Sequence, residues 1–267
     1  MREYVAYIID TEFAWGYQTN VAGLSKTPPS FTYPPPTTFL GALTEAIARR
    51  EGLGESSYVR LLNELIADLV AIAVRPRNIY PLKTLDINRV IAVKEAAGKT
   101  FPDPDEPGKS FDAPARGKTI ASPLGGPPTI TWVLVWVRKP SMLREKDLWR
   151  IHRLGTKESI VSVTQVKKEA ATPSDSDVVT KYSVPLSVVK SFRPKIGSEW
   201  VIESYADPFK PFENGSPATR YVEGDTIPFA LPVNRGGVAA SAATVEVGDG
   251  GAAYLVGREP VIGVVKE

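Results

Sequence analysis

An α+β fold is what this sequence predicts: a β-α-β-β-α-β unit over residues 1–180, interrupted by an insertion at about 86–128 and followed by a β-rich region, residues 181–267. Three observations carry the prediction. Apolar residues recur at helical spacing in two stretches, behind "YPPPTT" and behind Ser57. Short β-branched and aromatic runs, among them "ITWVLVWV", alternate with those stripes. From about Lys181 onwards the chain consists of short β segments punctuated by Pro and Gly.

Tyr4–Ile9 is apolar on both faces, as a strand central in its sheet would be. The polar and aromatic stretch "FAWGYQTN", Phe13–Asn20, follows it. Pro34, Pro35 and Pro36 then fix φ and push each preceding residue towards extended backbone, so the chain reaches the next element as a short rod. Thr37 or Thr38 is placed to act as N-cap, and Phe39, Leu40, Leu43, Ala46 and Ile47 form the apolar stripe of a helix. Gly52 is placed to end it. Gly41 is the anomaly, because glycine in a helix costs roughly 0.5–1 kcal/mol relative to alanine. Its missing side chain predicts tight packing of the helix on the sheet. A second stripe, Tyr58, Leu61, Leu62, Leu65, Ile66 and Leu69, opens at Ser57 and leads into the strand "VAIAVRPRNIY". Residues 101–128 hold seven prolines and four glycines without apolar periodicity, which marks a functional or structureless excursion. "TITWVLVWV" reads as a buried strand, a short helix is expected from Ser141 through "MLREKDLWRIHR", and "ESIVSVTQV" alternates as a half-buried strand. The resulting order is that of a ferredoxin-like fold with an insertion between its second and third strands. In the last third, "ATVEVGDGGAAYLVG" predicts a hairpin turning at Gly248–Gly251, and "VIGVV" a final strand.

Composition removes several function classes. The 267 residues include no cysteine, so disulfides and thiolate metal sites are excluded. No apolar run approaches the roughly 20 residues that span a bilayer. The start "MREYVAYIIDTEF" lacks the apolar core of a secretion signal, and a cytoplasmic protein with no membrane partner is expected. The chain has no glycine-rich phosphate loop with lysine, no His/Asp/Glu cluster at metal spacing and no nucleophile motif, so neither metal nor cofactor is expected. His152 is the single histidine and stands between Arg150 and Arg153. That is poor provision for acid–base chemistry, and no catalytic residue is assigned. The net charge of +2 is unevenly spread. Residues 1–137 carry 14 basic and 14 acidic side chains, residues 138–168 nine and three, and residues 169–267 nine and 13, giving balances of 0, +6 and −4. One basic block in a nearly neutral chain points to a specific anionic partner.

"YPPPTTFLGALTEAI" resembles the N-terminal signature of the fifth family of CRISPR-associated proteins, in which a proline pair, a Ser or Thr and an "LLGA"-like helix start follow the first strand. "RLGTKESIVSV", Arg153–Val163, is similar to that family's glycine-containing loop and following strand, especially in archaeal type I-A systems. The resemblance spans residues 1–168 and covers the acidic last third only loosely. It implies a member of the repeat-associated mysterious protein superfamily and a subunit of the crRNA-guided complex Cascade, and the poor provision for acid–base chemistry makes a non-catalytic subunit the expectation. Such a subunit holds the repeat-derived 5′ handle of the crRNA, caps the filament of backbone subunits and has the large subunit as a further partner. The resemblance also implies a protruding β-hairpin, the thumb, within residues 86–128. One family branch, the type I-C form, cleaves repeat RNA, which makes an endoribonuclease the first alternative. A protein-interaction scaffold with little RNA contact is the second, since the excursion and the acidic last third suit partner-facing surfaces.

The candidate RNA-binding residues fall into groups. Arg150, Arg153, Gly155, Lys157, Lys167 and Lys168 belong to the basic block, where a helix end followed by "RLGTK" can offer backbone N–H groups and cations to phosphate. The same cations also suit a solvated helix C-terminus. Trp15, Tyr17 and Gln18 follow the first strand, where aromatic rings either stack on splayed bases or fill the core. Gly41 joins them under the resemblance, as a point where the helix start can approach the sheet or the RNA backbone. In the thumb, Lys94, Lys99, Lys109, Arg116 and Lys118 are the candidates, balanced by Glu95, Asp103, Asp105, Glu106 and Asp112. That balance predicts a grip by wedging and shape more than by charge.

Overall fold

The computed structural model describes residues 4–19, 29–86, 116–174, 177–212, 220–221, 224–234 and 240–266. Its elements in chain order are β1 (Tyr4–Phe13), β2 (Gly16–Tyr17), α1 (Pro36–Glu51), α2 (Tyr58–Ile66), β3 (Leu69–Pro76), β4 (Ile79–Asp86), β5 (Arg116–Pro123), β6 (Thr129–Trp136), α3 (Glu145–Trp149) and β7 (Val161–Ser174). There follow β8 (Val178–Thr180), β9 (Val184–Pro185), β10 (Val189–Pro194), β11 (Ser198–Ala206), β12 (Thr226–Asn234), β13 (Ala243–Val247), β14 (Gly251–Val256) and β15 (Glu259–Val264). The architecture is α+β and dominated by strands. The main sheet has the order β15-β14-β7-β1-β6-β3, with every neighbouring pair antiparallel. β1 is interior, as its two apolar faces require: Tyr7 and Ile9 pack towards the helices and Ala6 towards the opposite face.

Helices α1 and α2 cover one face of that sheet. Phe39, Leu40, Leu43 and Ile47 of α1 and Leu61, Leu62, Leu65 and Ile66 of α2 share a cluster with Trp132, Leu134 and Trp136 of β6. Each such large side chain contributes roughly 1.5–3 kcal/mol by leaving water. The start of α1 differs from the expectation, for neither Thr37 nor Thr38 is the N-cap. Pro35 holds that position in extended backbone and Pro36 is the first helical residue. Proline fits because its fixed φ suits the helix and its missing N–H would have had no intrahelical acceptor. Gly52 ends the helix in left-handed conformation, with φ 65°. A Cβ on Gly41 would lie 3.3 Å from the Tyr58 hydroxyl. The close approach that Gly41 permits is therefore α2 on α1 and not helix on sheet.

On the other face, Ala6, Ala71 and Ala73 keep the layer thin beneath Tyr182, Tyr254 and Val261. The sheet curls until β15 crosses β3, and a Cβ at Gly263 would strike the Val70 carbonyl. β14 and β15 thus join residues beyond 181 to the main sheet, while β10-β13-β8 and β11-β12-β9 form two smaller sheets. The hairpin expected at Gly248–Gly251 does not form. The turn exists, Gly251 N–H donating to Gly248 O at 3.1 Å, but β13 pairs with β10 and β8, whereas β14 pairs with β15 and β7. The turn passes the chain between two sheets.

Two other expectations shift. Residues 116–123, which the sequence places within the functional or structureless excursion, form β5, which pairs with β4 from Ile79↔Pro123 to Asp86↔Arg116 and with β2 on its other edge. Small and polar groups hold this strand, so it lacks an apolar stripe: Thr119 Oγ1 donates to Phe31 O at 2.6 Å, and any Cβ on Gly16 would strike the Thr119 carbonyl. Helix α3 spans only Glu145–Trp149. The Asp147 carboxylate accepts the Arg144 N–H at 2.9 Å and so sets the helix start at Arg144, later than Ser141. No described helix is long and apolar enough to cross a membrane.

Candidate nucleic-acid interface

Between β1 and β2 the chain bends outward at Ala14 and Trp15. Trp15 is anchored at its edge: Nε1–H donates to Glu158 O at 2.6 Å, and its carbonyl accepts the Ala121 N–H at 2.9 Å. The Lys118 ammonium lies 5.6 Å from the centre of the ring, a cation–π distance, and pairs with the Glu158 carboxylate at 3.0 Å. Around them opens a cleft of about 740 Å³ lined by Trp15, Thr84, Leu85, Lys118, Ile120, Lys157, Glu158 and Ile160. Leu85, Ile120 and Ile160 are exposed apolar side chains. An aromatic ring, an apolar floor and two lysines suit an unpaired nucleotide, whose base seeks a face to stack on and whose phosphate seeks a cation.

The loop from Arg153 to Ile160 shapes one wall and is closed by the bridge between those two residues. At Gly155 φ is 120°, and a Cβ there would come within 2.6 Å of Gln18 O. The neighbouring donors are spent internally: Thr156 N–H on Gln18 O at 3.2 Å, Leu154 N–H on Ser159 O at 2.9 Å, and Ser159 N–H on Thr156 O at 2.9 Å. Gly155 therefore serves the close contact with Gln18, and these N–H groups are not presented to phosphate as the sequence suggested. Lys157, exposed on the same loop, does reach the cleft.

Tyr17 and Gln18 do not belong to an RNA surface in this structure. Tyr17 is fully buried, its ring centre 5.3 Å from that of Phe13 and its hydroxyl donating to Thr32 O. Burial, reinforced by Tyr33 and Glu203, holds its phenol well above the ordinary value, so it stays neutral. Gln18 is buried as well, with Oε1 accepting from Thr156 Oγ1 at 3.3 Å. The bend before β2 is what separates half-buried Trp15 from core Tyr17. Gly41, facing Tyr58, likewise has a packing role.

The basic block is divided by the fold. Arg153 is half-buried and shares the Glu45 carboxylate with Arg49, at 2.8 and 2.9 Å. Arg150 is exposed beside Arg49 and Arg50 in a separate depression on the helix side. Lys167 and Lys168 are successive residues of β7, opposite Ile8 and Tyr7, so they point to opposite sheet faces and cannot line one groove. Lys94, Lys99 and Lys109 lie outside the described residues, as does the side chain of Arg116. His152 lies past the end of α3, exposed, with Nδ1 3.3 Å from Arg150 O. Among the described residues no group of three His, Asp or Glu could hold a metal.

Sequence reasoning missed Glu158, Leu85, Ile120 and Ile160. Ile160 carried a legible signal, for it shares the polar side of the alternation with Ser162 and Thr164. Glu158 carried none, since its place depends on Lys118, 40 residues earlier in the sequence.

No family model matches the chain. Its fold superposes on the crystal structure of a CRISPR protein from Archaeoglobus fulgidus with TM-score 0.72 and 40% sequence identity, covering 98% of this chain and 100% of that one. It is also 26% identical over 176 residues to CRISPR-associated protein Cas5 2 of Saccharolobus solfataricus, and the match spans 64% of each chain. By the near-complete match at 40% identity, and by the curated relative that carries the name, the chain belongs to the Cas5-type CRISPR-associated proteins.

Proposed function

We propose that the chain is a non-catalytic crRNA-binding subunit of a type I CRISPR complex of the I-A form. In this role it holds the repeat-derived 5′ handle, caps the filament of backbone subunits and has the large subunit as a further partner. The observation that carries the reading is the cleft, where Trp15, Lys118 and Lys157 converge from three distant segments. The antiparallel order β7-β1-β6-β3 supports treating these strands as a ferredoxin-like frame. The β4–β5 pair, which borders the cleft through Leu85 and Ile120, supports assigning the thumb to that hairpin. His152 contacts a backbone carbonyl of its own turn and stands apart from the cleft, which favours binding over cleavage.

Binding of single-stranded repeat RNA, followed by fluorescence anisotropy across a salt series, tests this. Lys118→Ala combined with Lys157→Ala is expected to weaken binding and reduce the salt slope by about one to two phosphate contacts. Trp15→Ala is expected to weaken binding with little change in slope. The same RNA, end-labelled, should stay intact for hours with or without divalent ions. Unchanged affinity in folded variants removes the cleft from RNA binding, and cleavage that disappears in His152→Ala makes the chain an endoribonuclease.

A further inference from the structure

We infer that the cleft selects guanine among unpaired bases, with Glu158 as the residue that sets the preference. The inference rests on the RNA-binding reading of the cleft and goes beyond it, because stacking on Trp15 alone would accept any base.

Glu158 is placed twice. Its backbone carbonyl holds the Trp15 Nε1–H at 2.6 Å, and its carboxylate Oε2 holds the Lys118 ammonium at 3.0 Å, with that ammonium 5.6 Å from the Trp15 ring centre. Because that ammonium lies over the indole face, a base that packs against Trp15 beside it brings its edge to the ammonium and to the carboxylate that holds it. The Glu158 side chain is half-exposed, and its Oε1 accepts no hydrogen bond from the described residues. Half-exposed, the carboxylate is within reach of a ligand that enters the cleft.

The four bases answer this pair differently. Guanine presents two adjacent donors, N1–H and the N2 amino group, which a carboxylate can accept together, and beside them O6, an acceptor for an ammonium. Adenine and cytosine each offer one amino donor next to a ring-nitrogen acceptor, so they satisfy one carboxylate oxygen only. Uracil offers the single N3–H flanked by two carbonyl oxygens, one of which would face the carboxylate and repel it. The expected order is guanine first, adenine and cytosine next, uracil last.

Four single-stranded RNA pentamers test this: five uridines, and the same chain with its central base changed to guanine, adenine or cytosine. For the wild-type protein the guanine pentamer is expected to bind about tenfold more tightly than the all-uridine one. In Glu158→Ala that ratio should fall below about twofold while binding of the all-uridine pentamer is retained or strengthened, since one negative charge has been removed. The backbone carbonyl that anchors Trp15 survives the substitution, so stacking is preserved. Equal wild-type affinity for all four pentamers, each weakened by Trp15→Ala, would refute guanine selection and leave the RNA-binding reading standing. A guanine preference that persists in Glu158→Ala would assign the selection to other residues. Affinities for all four that Trp15→Ala leaves untouched would overturn the reading of the cleft itself.

Discussion

Gly155 shows how a single missing side chain supports the cleft. Its φ of 120° lies where L side chains rarely go, and a Cβ would come within 2.6 Å of Gln18 O. Gly155→Ala is therefore expected to destabilise the protein by roughly 1–3 kcal/mol and to displace the loop that carries Lys157 and Glu158. A melting temperature and RNA affinity equal to wild type would contradict this. The importance of Gly155 was legible in the sequence, but its reason was not: "RLGTK" suggested open N–H groups, and the fold uses two of them, on Leu154 and Thr156, to hold Ser159 and Gln18. Trp15 and Tyr17 were equally indistinguishable on paper. Their fates are set by a bend of two residues before β2 and by the Thr32 carbonyl that receives the Tyr17 hydroxyl.

At the level of elements, the β4–β5 pair makes the last part of the excursion, residues 116–123, a strand of the fold. Thr119 and Ala121 are buried, and β5 lies between β2 and β4. Joining Ile87 directly to Thr129 through a short linker is therefore expected to lower the melting temperature sharply, because it removes a strand paired on both edges. Closing Asp86 to Arg116 with a short Gly/Ser turn keeps all eight β4–β5 residue pairs and is expected to leave the melting temperature within a few degrees. Calorimetry on the two deletions separates the cases, and similar melting temperatures would show that β5 contributes nothing to stability. Elements with a strong apolar stripe or an unbroken apolar run, such as α2 and β6, were legible from sequence. β5 was not, because hydroxyls and glycine contacts replace the apolar stripe, and the Gly248–Gly251 turn misled because a turn signal does not say whether its two strands pair with each other.

Across the whole molecule, function follows from how the fold redistributes charge. The +6 block of residues 138–168 looked like one surface, yet Arg153 is committed to Glu45, Arg150 sits in a separate depression on the helix side, and Lys167 and Lys168 face opposite ways. What the fold assembles instead is a cleft from residues near 15, 85, 119 and 158, a combination that no local window contains. The central claim is that this cleft holds the crRNA. Ultraviolet cross-linking of the complex assembled in cells with its crRNA, read by mass spectrometry, tests it most directly. Nucleotide adducts are expected on the peptides that carry Trp15, Lys118 and Lys157, joined to bases of the 5′ handle. Adducts confined to other segments, such as the Arg150 depression, or a complex that forms with no RNA on this chain, would contradict it.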